Sequence, residues 1–186
     1  MKKLIQCLAL IPFILITGCV QVDSAQHSRA SQLAISSVRD LPIKYPSGAK
    51  FSLSPRYSEQ LSITEAQMQQ AYDVYATQII QSLESKGYQY TTESNPHFYV
   101  GYGIALGKDL SDQAINQKFG VLPGLPSVDD LEKGSFLIYI EDSAMEKQVW
   151  RGAIQGFVHE DYSEQEREQR AAYIVNAVLR QFYLTK

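Results

Sequence analysis

The densest group of residues with acid–base or metal-binding chemistry in this chain is His159-Glu160-Asp161. An imidazole beside two carboxylates is the raw material of general acid–base catalysis or of a metal site. The spacing argues against both. Successive residues on an extended strand point to opposite faces, so His159 and Glu160 do not converge on one atom. The run matches no common zinc-ligand pattern. It falls between a strand end and a helix start, where such residues cap and solvate a turn. The remaining histidines, His27 and His97, have no visible partners in the sequence. The serine-rich stretches lack a Gly-x-Ser-x-Gly elbow, and Gly101-Tyr102-Gly103 inside a strand pattern is not a phosphate loop. The sequence therefore assigns no catalytic residue, no metal ligand and no cofactor.

Cysteine chemistry is a different matter. Cys7 sits in an apolar run from Leu4 to Ile16, behind the positive Lys2 and Lys3. That run is shorter than the roughly 20 apolar residues needed to span a bilayer. A charged start, a short apolar core and small residues ahead of a cut define a secretory signal peptide. Ile16-Thr17-Gly18-Cys19 then resembles the bacterial lipobox: aliphatic, small, small, Cys. The resemblance implies cleavage after Gly18, with Cys19 diacylated on sulfur and acylated on its new amine by chains such as palmitate. Several acyl chains anchor stably where one does not, at about 0.8 kcal/mol per buried methylene. Val20 follows, rather than the Asp that often retains such lipoproteins in the inner membrane, which favours the outer membrane, facing the periplasm. With Cys7 removed and Cys19 lipidated, the domain has neither a disulfide nor a thiol nucleophile.

Composition narrows the partners. The chain carries a formal net charge of -3 and no basic run, so nucleic acid is not an expected partner. Twelve tyrosines against one tryptophan suit a half-buried sheet with wet edges. Three segments are expected: residues 1–18 as the lipoprotein signal peptide, 19–49 as a flexible tether and extended lead-in, and 50–186 as a single domain. Within the tether, a short run near 31–38 has some helical character.

The domain's elements follow from periodicity. Lys50 to Ser54 alternates polar and apolar as a strand, ended by Pro55. Thr64 with Gln67 forms a capping box, and Met68, Tyr72, Tyr75, Ala76, Ile79, Ile80 and Leu83 make one helical stripe reaching to about Lys86, with Gly87 at its end. From His97 to Leu106, Phe98, Val100, Tyr102, Ile104 and Leu106 face one way. The small row Tyr99, Gly101, Gly103 and Ala105 faces the other, suiting close packing or a ligand groove. Residues 107–134 form an irregular insertion, with a short helix within 109–119 and a Gly/Pro-rich continuation carrying Val121, Leu122 and Leu125. Such insertions are commonly functional or disordered, and these apolar residues suit docking either on a partner or on the domain itself. Ser135 to Asp142 and Lys147 to His159 form a hairpin, in which Val149, Arg151, Ala153, Gln155 and Phe157 share a face opposite Trp150, Gly152, Ile154, Gly156 and Val158. Ser163 with Glu166 opens a closing helix striped by Ala171, Ile174, Val175, Val178, Leu179 and Phe182.

Particular residues on this frame carry a family resemblance. Leu83-Glu84-Ser85-Lys86-Gly87-Tyr88, Asn95-Pro96-His97-Phe98-Tyr99-Val100, Glu141-Asp142, Val149-Trp150-Arg151-Gly152 and the closing helix resemble the bacterial lipoprotein family built on the domain of unknown function numbered 4136. His97 stands where that family often has Asp. The resemblance covers about Lys50 to Tyr183 and implies an α+β lipoprotein domain with no catalytic residues. Read physically, Trp150 anchors the sheet–helix core, Arg151 pairs with Glu141 or Asp142 across the hairpin, and Gly152 admits a helix closely.

The fold expected is α+β: a small, mostly antiparallel sheet of about four strands, with two main helices on one face. The function expected is a lipid-anchored envelope protein, held by Cys19, acting as a non-catalytic binding or assembly module for an envelope protein, peptidoglycan or a lipid-type molecule, or as a structural, self-associating protein. The alternative is a hydrolase acting on envelope material. An apolar cavity with convergent polar groups would favour that alternative. An open sheet edge with an ordered apolar insertion beside it would favour binding.

Overall fold

The computed structural model describes residues 32–54, 64–159 and 161–184. Residues 1–18, Cys19, His27, Pro55 and Glu160 lie outside them. The element order is β1 (Leu33–Arg39), β2 (Lys50–Leu53), α1 (Glu65–Glu84), β3 (Gln89–Tyr90), β4 (Phe98–Leu106), α2 (Asp112–Phe119), β5 (Lys133–Asp142), β6 (Lys147–Phe157) and α3 (Glu164–Tyr183). The strands form one six-stranded sheet in the order β1-β6-β5-β4-β2-β3.

This corrects the expected small, mostly antiparallel sheet of about four strands, and adds a third helix, α2, to the two main helices expected on one face. The sheet is mixed: β2 runs parallel to both β3 and β4, while β1, β6, β5 and β4 pair antiparallel. Two strands escaped the periodicity. β3 is two residues long, too short to carry a pattern. β1 lies in the stretch read as tether, and its near-helical run is a strand paired along its length with β6 from Leu33↔Gly156 to Arg39↔Trp150. Its Leu33-Ala34-Ile35-Ser36-Ser37-Val38 run does not alternate polar and apolar cleanly, so its form as an edge strand comes from pairing with β6.

The two long helices are where the caps place them. Thr64 Oγ1 accepts from the Gln67 backbone N–H, and Ser163 Oγ from Glu166, with both boxes completed by the reciprocal side chain. Both helices pack on the sheet face carrying Phe98, Val100, Tyr102, Phe136, Ile138, Ile140, Trp150 and Ile154. Ser82 Oγ donates to Asn176 Oδ1 at 2.8 Å and ties the C-terminal halves of α1 and α3 together. Val149, expected on the opposite face, joins this core. A β-bulge between Ile140 and Glu141 shifts the register, so Ile140 faces Trp150 and Glu141 faces Gln148. A bulge adds one residue to one strand and so re-aims a side chain.

The opposite face of the sheet is covered by the insertion. Leu110, Ile115 and Val121 pack with Ala105, Leu137 and Ala153 in a second, smaller core, and Leu125 is buried with its backbone N–H on Gln155. Helix α2 is capped by Ser111 and ends at Gly120, whose φ of 61° is left-handed. Among the described residues no helix is long and apolar enough to cross a membrane.

Candidate functional site

A cavity of about 340 Å³ opens between α1, α3 and one end of the sheet. Its floor is the apolar row of Ile104 and Leu106 on β4, Phe136 on β5 and Ile154 on β6. Gln70, Ala71 and Val74 from the first half of α1 form one wall, and Arg170, Ala171 and Ile174 from the first half of α3 form the other. His159 and Tyr162, in the connection from β6 to α3, line the end. The volume lies at the low end of small-ligand pockets, about 300–1,000 Å³.

Two details shape the interior. Gly156 and Gly134 are register partners across β6 and β5, and both line the cavity. A Cβ on Gly156 would lie 2.9 Å from Arg170 Nη2 and 2.6 Å from Leu33 Cδ2, so the missing side chain leaves room for the guanidinium against the sheet. Tyr75 stacks on Phe136, with centroids 4.5 Å apart and planes 13° apart. Burial pushes the Tyr75 phenol up to about 12, and the nearby Arg170 charge only partly opposes it.

Arg170 is the charged group of the interior. Its Nη2 is buried and has no hydrogen-bond partner among the described residues. No ion pair among those residues involves it. By contrast, Arg167 and Glu164 stand exposed at the rim.

Among the described residues of the lining, the serine and the histidine lie on different contacts rather than on each other. His159 stacks flat on Tyr162, with centroids 4.4 Å apart and planes 7° apart. Ser135, the one hydroxyl of serine type in the lining, accepts at Oγ from Gln155 Nε2 at 3.3 Å, within the packing of the other sheet face. Asp161 is exposed and outside the lining. His97 has a partner the sequence did not reveal: its Nδ1 accepts the Lys50 backbone N–H at 3.0 Å, bracing β2 against β4. No group of three or more metal-ligating side chains occurs among the described residues.

The other surfaces raised by the sequence are packed internally. A Cβ on Gly101 would lie 2.0 Å from Tyr139 Cζ, so the Tyr139 ring fills the space of the supposed groove. The insertion is held by a polar knot. Lys133 Nζ pairs with Asp112 Oδ2 at 2.7 Å and donates to the Leu125 carbonyl at 3.2 Å. Gln155 Nε2 donates to Asp112 Oδ1 at 2.6 Å, and Gln155 Oε1 accepts the Leu125 N–H at 3.0 Å. Burial pushes the Asp112 carboxyl up, but the Lys133 and Gln155 hydrogen bonds outweigh it and hold the group below the usual carboxylate range.

The Trp150-Arg151-Gly152 run divides between the two faces. Trp150 is buried against Phe182, at 5.5 Å between centroids. A Cβ on Gly152 would lie 2.7 Å from Trp150 Cη2 and 2.8 Å from Val178 Cγ2, so the glycine is where α3 comes closest to β6. Arg151 pairs with Asp40 at 3.2 Å, just past β1, rather than with Glu141 or Asp142. Asp142 instead accepts from the Tyr45 hydroxyl at 3.0 Å and from the backbone N–H groups of Ala144 and Met145.

A search of the curated proteins finds no match. Among solved structures, a PDZ domain protein from Parabacteroides distasonis is similar at 12% identity, over 86% of this chain and 38% of that one, with a TM-score of 0.53; the likeness is one of fold. The PelC dodecamer from Paraburkholderia phytofirmans is similar at 11% identity, over 80% of this chain and 95% of that one, with a TM-score of 0.49. The profile of one family, Domain of unknown function (DUF4136), matches residues 44–182, from the lead-in of β2 to the end of α3, and the chain belongs to that family.

Proposed function

We propose that this protein is a lipid-anchored component of the bacterial cell envelope, held through Cys19 on the periplasmic side of the outer membrane. Its domain acts there as a non-catalytic binding module. The cavity between α1, α3 and the sheet is its binding site. The observation that carries this reading is the cavity among the described residues: a polar-rimmed apolar cavity alone would suit the hydrolase alternative, but its one serine is turned to Gln155 on the other sheet face and its histidine is stacked on Tyr162, which favours binding. The insertion and the glycine row, the other candidate surfaces, are engaged in packing within the domain.

The test pairs the anchor with the activity. Cells expressing the chain are labelled with an alkynyl fatty acid and fractionated, beside a Cys19→Ser variant. The wild type is expected to be labelled and to sediment with the outer membrane, and the variant to lose the label and its processing. A Cys19→Ser protein that stays membrane-bound and is processed normally would sink the anchor. Turnover of an envelope substrate by the purified protein would support the hydrolase reading in place of binding.

A further inference from the structure

We infer that the cavity takes a single-chain amphiphile with a carboxylate head, its chain on the apolar floor and its head facing Arg170. This rests on the reading of the cavity as the binding site and adds the chemistry of its occupant.

The floor gives the first half of the argument. Ile104, Phe136 and Ile154 are aligned register partners across three strands and form an apolar base, with Phe136 and Ile154 themselves buried, while the part-exposed Ala71, Val74, Ile104 and Leu106 line the accessible space above it. Burying a chain there removes its methylenes from water, which is favourable in proportion to the apolar area covered. At about 340 Å³ the space suits one chain rather than the paired chains of a bilayer lipid.

The second half is charge. A guanidinium in an apolar wall is costly unless it finds an acceptor. Arg170 is held against the sheet by the absence of a Cβ at Gly156, half-buried, with Nη2 enclosed and unsatisfied among the described residues. Arg and carboxylate match in planar geometry and form charge-assisted hydrogen bonds. At the rim, Arg167 and Glu164 carry opposite charges, so among the described lining residues Arg170 is the formal charge left without an opposite one. That complements a monoanion better than a phosphate monoester, whose charge at neutral pH is roughly −1.5 to −2. A cationic head would meet Arg170 directly.

The full-length protein in phosphatidylcholine nanodiscs provides the test. A decanoate bearing a terminal diazirine is photolysed with it, and the labelled peptides are mapped. Decanoate, decyl phosphate, decanol and decyltrimethylammonium serve as competitors, compared at equal amounts in the bilayer. Label is expected on the Gln70–Val74 stretch of α1 and the Ile154–Gly156 stretch of β6. Decanoate should compete roughly tenfold or more better than decanol or the cation, the scale of losing a hydrogen bond to a charged group. Arg170→Gln should bring decanoate down to decanol, and Arg170→Lys should restore part of the difference. Equal competition by decanoate and decanol, or an Arg170→Gln protein that still prefers decanoate, would overturn the head-group assignment and leave an apolar binding cavity standing. Stronger competition by decyl phosphate would overturn the choice of a carboxylate. Labelling equally distributed over the domain, and unchanged by filling the cavity with Ala71→Trp, would overturn the cavity as a binding site altogether.

Discussion

Leu125 in the insertion and Gln155 on β6 are joined by a hydrogen bond of 3.0 Å, from the Leu125 backbone N–H to Gln155 Oε1. Gln155 is almost fully buried, at 1% exposed, and its amide nitrogen simultaneously serves Asp112. One side chain thus ties both the helical start and the Gly/Pro-rich continuation of the insertion to the sheet. Gln155→Leu keeps similar bulk but leaves the Leu125 N–H buried without an acceptor. The expected cost is about 1–3 kcal/mol, read as a lower urea midpoint. Amide exchange should rise selectively across residues 121–126, while α1 and α3 keep their protection. Uniform loss of protection would mean that the knot supports the whole fold rather than the insertion alone.

The same knot makes a prediction about pH. The Asp112 carboxyl is held below its usual range by Lys133 and Gln155. A depressed carboxylate stabilises the fold above the unfolded-state value near 4, and that contribution fades as pH falls through the folded-state value. In a comparison of wild type with Asp112→Asn, the wild type should be more stable at pH 7, and the gap should narrow in the acid range below pH 4. The Asp112 side chain is 35% exposed, so solvent screening keeps the gap small. A gap that is constant from pH 7 to pH 2.5 would show that the amide substitution acts through geometry and not through charge.

These two predictions concern a region whose role the sequence left open. Val121 and Leu125 were legible as apolar residues that must dock somewhere, but only the fold shows that Val121 packs with Leu137 and Ala153 while Leu125 is held at Gln155. The capped helices were legible because caps and stripes are local signals: Thr64 and Gln67, or Ser163 and Glu166, lie within one turn. β1 and β3 were not, since their strand character comes from long-range pairing. The cavity was equally hidden. Its stripe residues Tyr75, Ala171 and Ile174 read as core, and most of that stripe is core. What turns one end into a cavity is the meeting of Gly134, Gly156 and the N-terminal halves of two helices. Two glycines on the helix-facing row of adjacent strands, beside a helix with an arginine in its second turn, were the available signal. Arg151 was misassigned for a related reason. The hairpin offered acids across β5, while its partner Asp40 lies past a strand that had not been recognised.

Gly152 gives the sharpest packing test. Its missing Cβ is the space occupied by the edge of Trp150 and a methyl of Val178, and both neighbours are essentially unexposed. Even a methyl at this position sits too close to both of them, and both must move. Gly152→Val adds two more carbons where the backbone of β6 is fixed by pairing to both β1 and β5. Overpacking of this kind costs about 1–3 kcal/mol. The expected result is a lowered urea midpoint with an unchanged denaturant slope, the mark of lost stability rather than altered compactness. Gly152→Ala should cost less, and adding Val178→Ala to it should recover part of the loss, because the second change removes the methyl that clashes. If the double variant is instead as unstable as the sum of the singles, Trp150 rather than Val178 is the neighbour that cannot yield. A Gly152→Val protein as stable as wild type would mean that α3 rides on β6 with slack, against the 2.8 Å approach seen at Val178.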